Sequence, residues 1–204
     1  MTFGIALGAG LLATAGTAVA GTAGADPAIT VKGLIGHSGA CASAKPKLVG
    51  VQENNVVAIA MPPMAVRVGQ VDSGEPVASG SATCSLNFRV VAPAGYTAEL
   101  KQARFVGAAT LAEGATASSE VNYLLPGFAG KYVTTTKPFT GPSADPWTYT
   151  DELPAASGKA QGQSVSLDVV LAAKAGPNSA AGSIQWTTEA DGATMHLAFA
   201  LKAR

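Results

Sequence analysis

Ser81-Ala-Thr-Cys-Ser-Leu-Asn-Phe-Arg-Val-Val91 alternates polar and apolar side chains position by position. An extended chain turns successive side chains to opposite faces. Ala82, Cys84, Leu86, Phe88 and Val90 therefore share one face, while Ser81, Thr83, Ser85, Asn87 and Arg89 share the other. One apolar and one wet face is the mark of a half-buried antiparallel strand. The same period recurs in both directions along the chain. Val165, Leu167, Val169 and Leu171 should face inward against Ser164, Ser166 and Asp168; Met195, Leu197, Phe199 and Leu201 should oppose His196, Ala198 and Lys202. Strands are predicted over 29–35, 56–61, 64–68, 81–91, 97–106, 115–125, 132–136, 164–172, 183–188 and 194–202. Turn chemistry separates them at Pro93-Ala94-Gly95, Glu113-Gly114, Gly176-Pro177-Asn178 and Asp191-Gly192. No stretch carries a helical stripe. The pattern predicts an all-β protein, a two-sheet antiparallel β-sandwich of jelly-roll or Greek-key type.

Met1 to Ala25 contains no charged side chain and reads as an export signal. Its apolar stretch gives way to Ala18-Val19-Ala20 and Ala23-Gly24-Ala25, both small-x-small sites for signal peptidase. Cleavage at the second divides the chain into a signal, 1–25, and one folded domain, 26–204. A membrane anchor needs roughly 20 strongly apolar residues; Gly4, Gly8, Gly10, Thr14, Gly16 and Thr17 dilute this segment too far. The usual basic start is missing, since the first Lys is Lys32, which implies an upstream start or an atypical signal. No transmembrane segment is expected after cleavage, and the product should be secreted or held in the cell envelope.

Thirteen basic and thirteen acidic residues cancel and are spread without blocks. Nucleic acid demands a basic stripe that displaces counterions, so that partner is excluded, as is an anionic membrane surface. Cys41 and Cys84 are the two cysteines, and an even pair behind an export signal reads as a disulfide. The bridge would join a turn after the first strand to the inner face of 81–91, stabilising by about 4 kcal/mol in the chain-entropy model. A metal site wants three or four convergent ligands. Two Cys and two His, widely separated, do not offer one, so no metal and no other cofactor is expected.

Two segments read as irregular. Gly69 to Gly80 reads as a mobile surface loop, and Lys137 to Gln163 as a longer Pro- and Gly-rich crossover carrying Phe139, Trp147, Tyr149, Asp145, Asp151 and Glu152. These six residues are the candidate ligand site: aromatic faces for a sugar ring and carboxylates for its hydroxyls. The competing reading has the aromatics covering an open end of the core. Asp151 and Glu152 are neighbours and point apart in an extended segment, which tells against a two-carboxylate hydrolase built from them. His37 and His196, the latter on the polar face of the last strand, fit no triad motif and read as surface or structural. No catalytic residue is assigned.

From Gly36 onward the order of features resembles a family of small secreted bacterial and fungal proteins known only as a domain of unknown function, number four-three-six-zero. The residues that carry the resemblance begin with the Gly-rich turn ending in Cys41, the Cys84 strand followed by Pro93-Ala94-Gly95-Tyr96, and Arg104-Phe105-Val106-Gly107. They continue through Leu111-Ala112-Glu113-Gly114, Tyr123, Phe139-Thr140-Gly141-Pro142, Tyr149 and Asp151-Glu152. The resemblance spans about four fifths of the chain. Many members carry a second cysteine pair near Glu152 to Ser164, which this chain lacks. It implies secretion and a disulfide-stabilised β fold, and supplies no activity. The expected function is therefore non-enzymatic binding to a glycan or cell-surface component, with a polysaccharide hydrolase and a protease inhibitor as alternatives.

Overall fold

The computed structural model describes residues 27–70, 74–126, 128, 130–155 and 162–204. The expected signal, 1–25, lies outside the described residues. Twelve strands run in order among those described: β1 (Thr30–Gly39), β2 (Lys47–Gln52), β3 (Val56–Ala60), β4 (Ala65–Val68), β5 (Ser79–Val91), β6 (Tyr96–Leu111), β7 (Thr116–Leu124), β8 (Tyr132–Thr140), β9 (Ser143–Glu152), β10 (Gly162–Lys174), β11 (Gly182–Trp186) and β12 (Met195–Ala203). The one α-helical element among them is a single turn, α1 (Ala40–Ser43).

The strands form two wholly antiparallel sheets, as the alternation requires. One has the order β1-β5-β10-β7-β8. The other runs β2-β3-β12-β6-β11-β4, with β9 along the remaining edge of β6. At the centre of the first, β10 lies on β5 in unbroken register from Gly162 opposite Val91 to Lys174 opposite Ser79. Cys84, Leu86, Phe88, Val90, Val165, Leu167, Val169 and Leu171 are all buried on its inner face. They meet Val57, Ile59, Leu100, Phe105, Ile184, Met195, Leu197 and Phe199 of the second sheet in one continuous core. The result is the two-sheet sandwich that the period-two pattern predicts.

All ten predicted segments are strands, and the described residues contain two more. The larger correction concerns Lys137 to Gln163, read from sequence as irregular. Its first part extends β8 to Thr140 and the next forms all of β9. Pro138 and Pro146 suggested a loop because proline cannot donate to a ladder. Both lie on edge strands, where the missing N–H can face outward. The other missed strand, β2, is exposed along nearly its whole length, so burial never imposed an alternating pattern on it. In the segment read as a surface loop, Gly69 and Val77 exchange backbone hydrogen bonds of 2.8 and 3.0 Å, narrowing the loop between them; residues 71–73 lie outside the described set.

Cys41, on α1, is bonded to Cys84 on β5 with Cα atoms 5.0 Å apart. Both residues are fully buried. The bridge ties the β1–β2 connection to an interior strand. Replacing both cysteines by Ala should lower unfolding stability by about 2–4 kcal/mol, read as a fall in the urea midpoint. A midpoint matching the parent protein would contradict this.

Candidate functional site

The residues singled out in sequence fall on the corner where β8 hands over to β9. β8 ends the five-stranded sheet and β9 borders the seven-stranded one, so the chain crosses between layers at Gly141 and Pro142, a cis peptide. Gly141 donates its N–H to the Ala115 carbonyl at 2.9 Å. A Cβ there would overlap the Ala112 carbonyl, so only glycine fits. The register on β6 then sets Trp147 opposite Gly107, Tyr149 opposite Phe105 and Asp151 opposite Ala103.

The inner row of β9 closes the sandwich. Ring centroids are 5.4 Å apart from Phe139 to Trp147, 5.4 Å from Trp147 to Tyr149, 5.2 Å from Tyr149 to Phe105 and 5.7 Å from Phe105 to Trp186. This chain of rings packs the gap between two sheet edges at distances favourable for aromatic pairs. Gly107 is paired with Trp147 on one side and Trp186 on the other, and a Cβ there would collide with the Trp147 indole. The indole N–H groups of Trp147 and Trp186 are buried with no acceptor among the described residues.

Polar atoms finish the closure. Tyr149 and Ser119 share a hydroxyl hydrogen bond of 2.9 Å. The Tyr123 hydroxyl and the Thr135 hydroxyl both donate to Asp151 Oδ2 at 2.5 Å. Burial, then the Asp151 carboxylate, push the Tyr123 phenol far above its ordinary value. Burial likewise raises Tyr149.

The six candidate residues therefore separate. Trp147 is buried, Phe139 and Tyr149 are half-buried within the seam, and Asp151 faces inward. Glu152 takes the opposite face of β9, where it accepts a hydrogen bond of 2.7 Å from Gln102 Nε2. Phe139 also borders a groove beside Ser118 and Lys174, and Asp145 is drawn into a larger open site. It lines a cleft of about 860 Å³ with Arg67, Gln70, Thr110, Ser143 and Ser183. The strands explain this grouping: Ser183 is opposite both Arg67 and Thr110, and Thr110 is opposite Ala144, so one cross-strand row forms the floor. It presents donors and acceptors with a single carboxylate.

A second polar group was not assembled by sequence reasoning. His196, expected on a polar face, is only 7% exposed because the β11–β12 connection folds over it. Arg104 is its cross-strand neighbour. His196 Nε2 lies 2.8 Å from Asp191 Oδ2, and Nδ1 lies 3.4 Å from Arg104 Nη2. An arginine only donates, so Nδ1 accepts and Nε2 carries the proton given to Asp191. Gln52 Nε2 donates to the same Asp191 oxygen at 2.8 Å, and the Ala193 N–H donates to the other at 2.9 Å. The His196 hydrogen bond, then Ala193 and Gln52, hold the Asp191 carboxyl down at about 2. Glu189, Asp191 and His196 bring ligand atoms within 4.8 Å of one another. The Arg104 guanidinium already pairs with Glu189 and faces His196, so positive charge is supplied there by the protein and the set does not fit a divalent cation. The Asp191-Gly192 turn was readable in sequence; its fold back onto Arg104 was not. His37, exposed on β1, joins neither group.

This chain belongs to the DUF4360 family, a domain of unknown function whose model matches residues 34–203. No curated protein matches it. Among solved structures it is similar to TmCBM61 in complex with β-1,4-galactotriose, at 14% identity over 86% of this chain and 88% of that one, with a TM-score of 0.29.

Two pH responses follow. Tyr123 and Tyr149 have folded-state values above the unfolded value of about 10. The stability they contribute is present below that value and should fall as pH rises beyond it, because only the unfolded chain then releases the phenolic protons. Tyr123→Phe should lose about 1 kcal/mol at neutral pH and show a shallower alkaline decline in urea melts; an identical alkaline slope would contradict the assignment. Asp191 has the opposite sign, since its folded value of about 2 lies below 3.8. Its contribution is present above about pH 4 and lost as pH falls toward 2. Asp191→Asn should flatten the acid limb of the stability curve over that interval.

Proposed function

We propose that the protein is an exported, non-enzymatic binding module that holds a neutral, hydroxyl-rich ligand, a glycan chain of the cell surface or its surroundings, in the Asp145 cleft. The single observation behind this reading is the cleft lining: Arg67, Gln70, Thr110, Ser143, Asp145 and Ser183 offer hydrogen bonds on a floor of small residues. Such a surface suits ligands recognised through many hydroxyls. Export rests on the uncharged segment 1–25, with a mature domain from Asp26, and on the buried Cys41–Cys84 bridge, which suits an oxidising compartment. No helix among the described residues is long and apolar enough to cross a membrane.

The hydrolase alternative calls for two carboxyl groups facing each other across a cleft. Asp145 is the one carboxylate among the described lining residues, while Asp151 and Glu152 occupy opposite faces of β9. The inhibitor alternative calls for a projecting loop, and residues up to Glu152 are instead laddered onto β7 and β6. Incubation with insoluble polysaccharides should retain the protein without releasing reducing sugar. Asp145→Ala should weaken retention about tenfold, equivalent to about 1.4 kcal/mol. Release of sugar that disappears in Asp145→Asn would favour the hydrolase, and absence of retention on any polysaccharide would refute the glycan reading.

A further inference from the structure

We propose that the outer face of the five-stranded sheet holds an oxyanion, a phosphate or sulfate group, in a groove across β1, β5 and β10. Lys32, Gly33, Asn87, Arg89, Ser164 and Ser166 line this groove, which has a volume of about 510 Å³. The ladder gathers them: Lys32 is opposite Arg89, Arg89 is opposite Ser164, and Asn87 is opposite Ser166. Neighbouring strands lie about 4.8 Å apart, so Lys32 and Ser164 flank Arg89 at one strand spacing each. The groove belongs to the sheet opposite the Asp145 cleft and stands apart from the glycan reading.

Like charges directly across a ladder repel each other. Neither Lys32 nor Arg89 has an ion-pair partner among the described residues. β1 and β5 contain no Asp or Glu, and the one acid of β10, Asp168, stands roughly 13 Å along the strand from Ser164. The paired cations are thus left for an external anion to neutralise. Gly162 shapes the site: a Cβ there would come within 2.7 Å of Arg89 Nε and Nη2, so its absence lets the guanidinium lie against β10 beside Ser164. The guanidinium fork matches two oxygens of a phosphate or sulfate, and Lys32 adds a point charge. The Ser164 and Ser166 hydroxyls can donate to the remaining oxygens. Neither serine nor Asn87 makes a side-chain hydrogen bond among the described residues, so these donors are uncommitted. A bulge in β1 between Lys32 and Ile35, with Gly33 at φ +63°, bends the strand at this groove. Two cations fall short of the stripe that nucleic acid needs, so the unit recognised is a single charged group.

Amide NMR titration of the protein with sodium phosphate and, separately, sodium sulfate, each against sodium chloride of equal ionic strength, tests this. Both oxyanions should give saturable shifts centred on Lys32, Gly33, Arg89, Ser164 and Ser166. Tighter binding of phosphate assigns a phosphate ester as the natural group, and tighter binding of sulfate a sulfate ester. Lys32→Gln and Arg89→Gln should each weaken binding about tenfold or more. Gly162→Ala keeps both charges and should still weaken binding severalfold, because it displaces the guanidinium. Unchanged shifts of distant amides will show that each variant keeps its fold. Shifts that chloride reproduces overturn the proposal, as does oxyanion binding that neither Arg89→Gln nor Gly162→Ala weakens.

Discussion

The structure depends on one strand, β6, being hydrogen-bonded on both edges along most of its length. β9 follows it from Gln102 to Leu111, while the opposite edge carries β12 from Tyr96 to Phe105 and then β11 from Gly107 to Leu111. The change of neighbour occurs at Val106, whose N–H donates to Thr194 and whose carbonyl accepts from Thr187. Backbone groups buried without partners are costly. A long central strand can be buried only if every neighbour arrives in register. That requirement fixes where β9 lies, and through β9 how the two sheets are joined along one side.

Closure by β9 also decides which side chains remain available to a ligand. Its inner row fills the seam with Trp147, Tyr149 and Asp151, and the Asp151 carboxylate is satisfied by two hydroxyl donors from the opposing sheet. A ring packed at 5.4 Å between neighbours has no free face to offer a sugar. The open cleft lies instead at the strand ends, where Asp145 joins polar side chains from β4, β6 and β11, and it is there that the proposed recognition would occur. Asp145 shares the alternation phase of Trp147, Tyr149 and Asp151, and it is its place near the start of β9, where the cleft opens, that leaves it outside the seal.

The Arg104, Glu189, Asp191 and His196 group shows a different limit of one-dimensional reading. Sequence placed His196 on the polar face correctly, but polar face and exposed position are not equivalent when a connection folds back over the sheet. The positions come together because β12 pairs with β6 in a register that sets His196 beside Arg104. Nothing in the spacing of residues 104, 189, 191 and 196 encodes that register.

The sequence by itself determined the class of fold, the inner faces of the long strands and the cysteine pair. Each follows from period-two alternation or from a count, which are local properties of the chain. It could not determine that Pro138 and Pro146 belong to strands, because proline is tolerated only where an N–H has no partner, and edge position is a property of the whole sheet. Nor could it divide Trp147, Tyr149 and Asp151 from Asp145 and Glu152. The side on which a residue lies is set by alternation, but what waits on that side, core, solvent or a cleft, is set by strands distant in sequence. Only the tertiary structure brings Ser183, Thr110 and Arg67 beside Asp145, since cross-strand register joins residues that no local pattern connects.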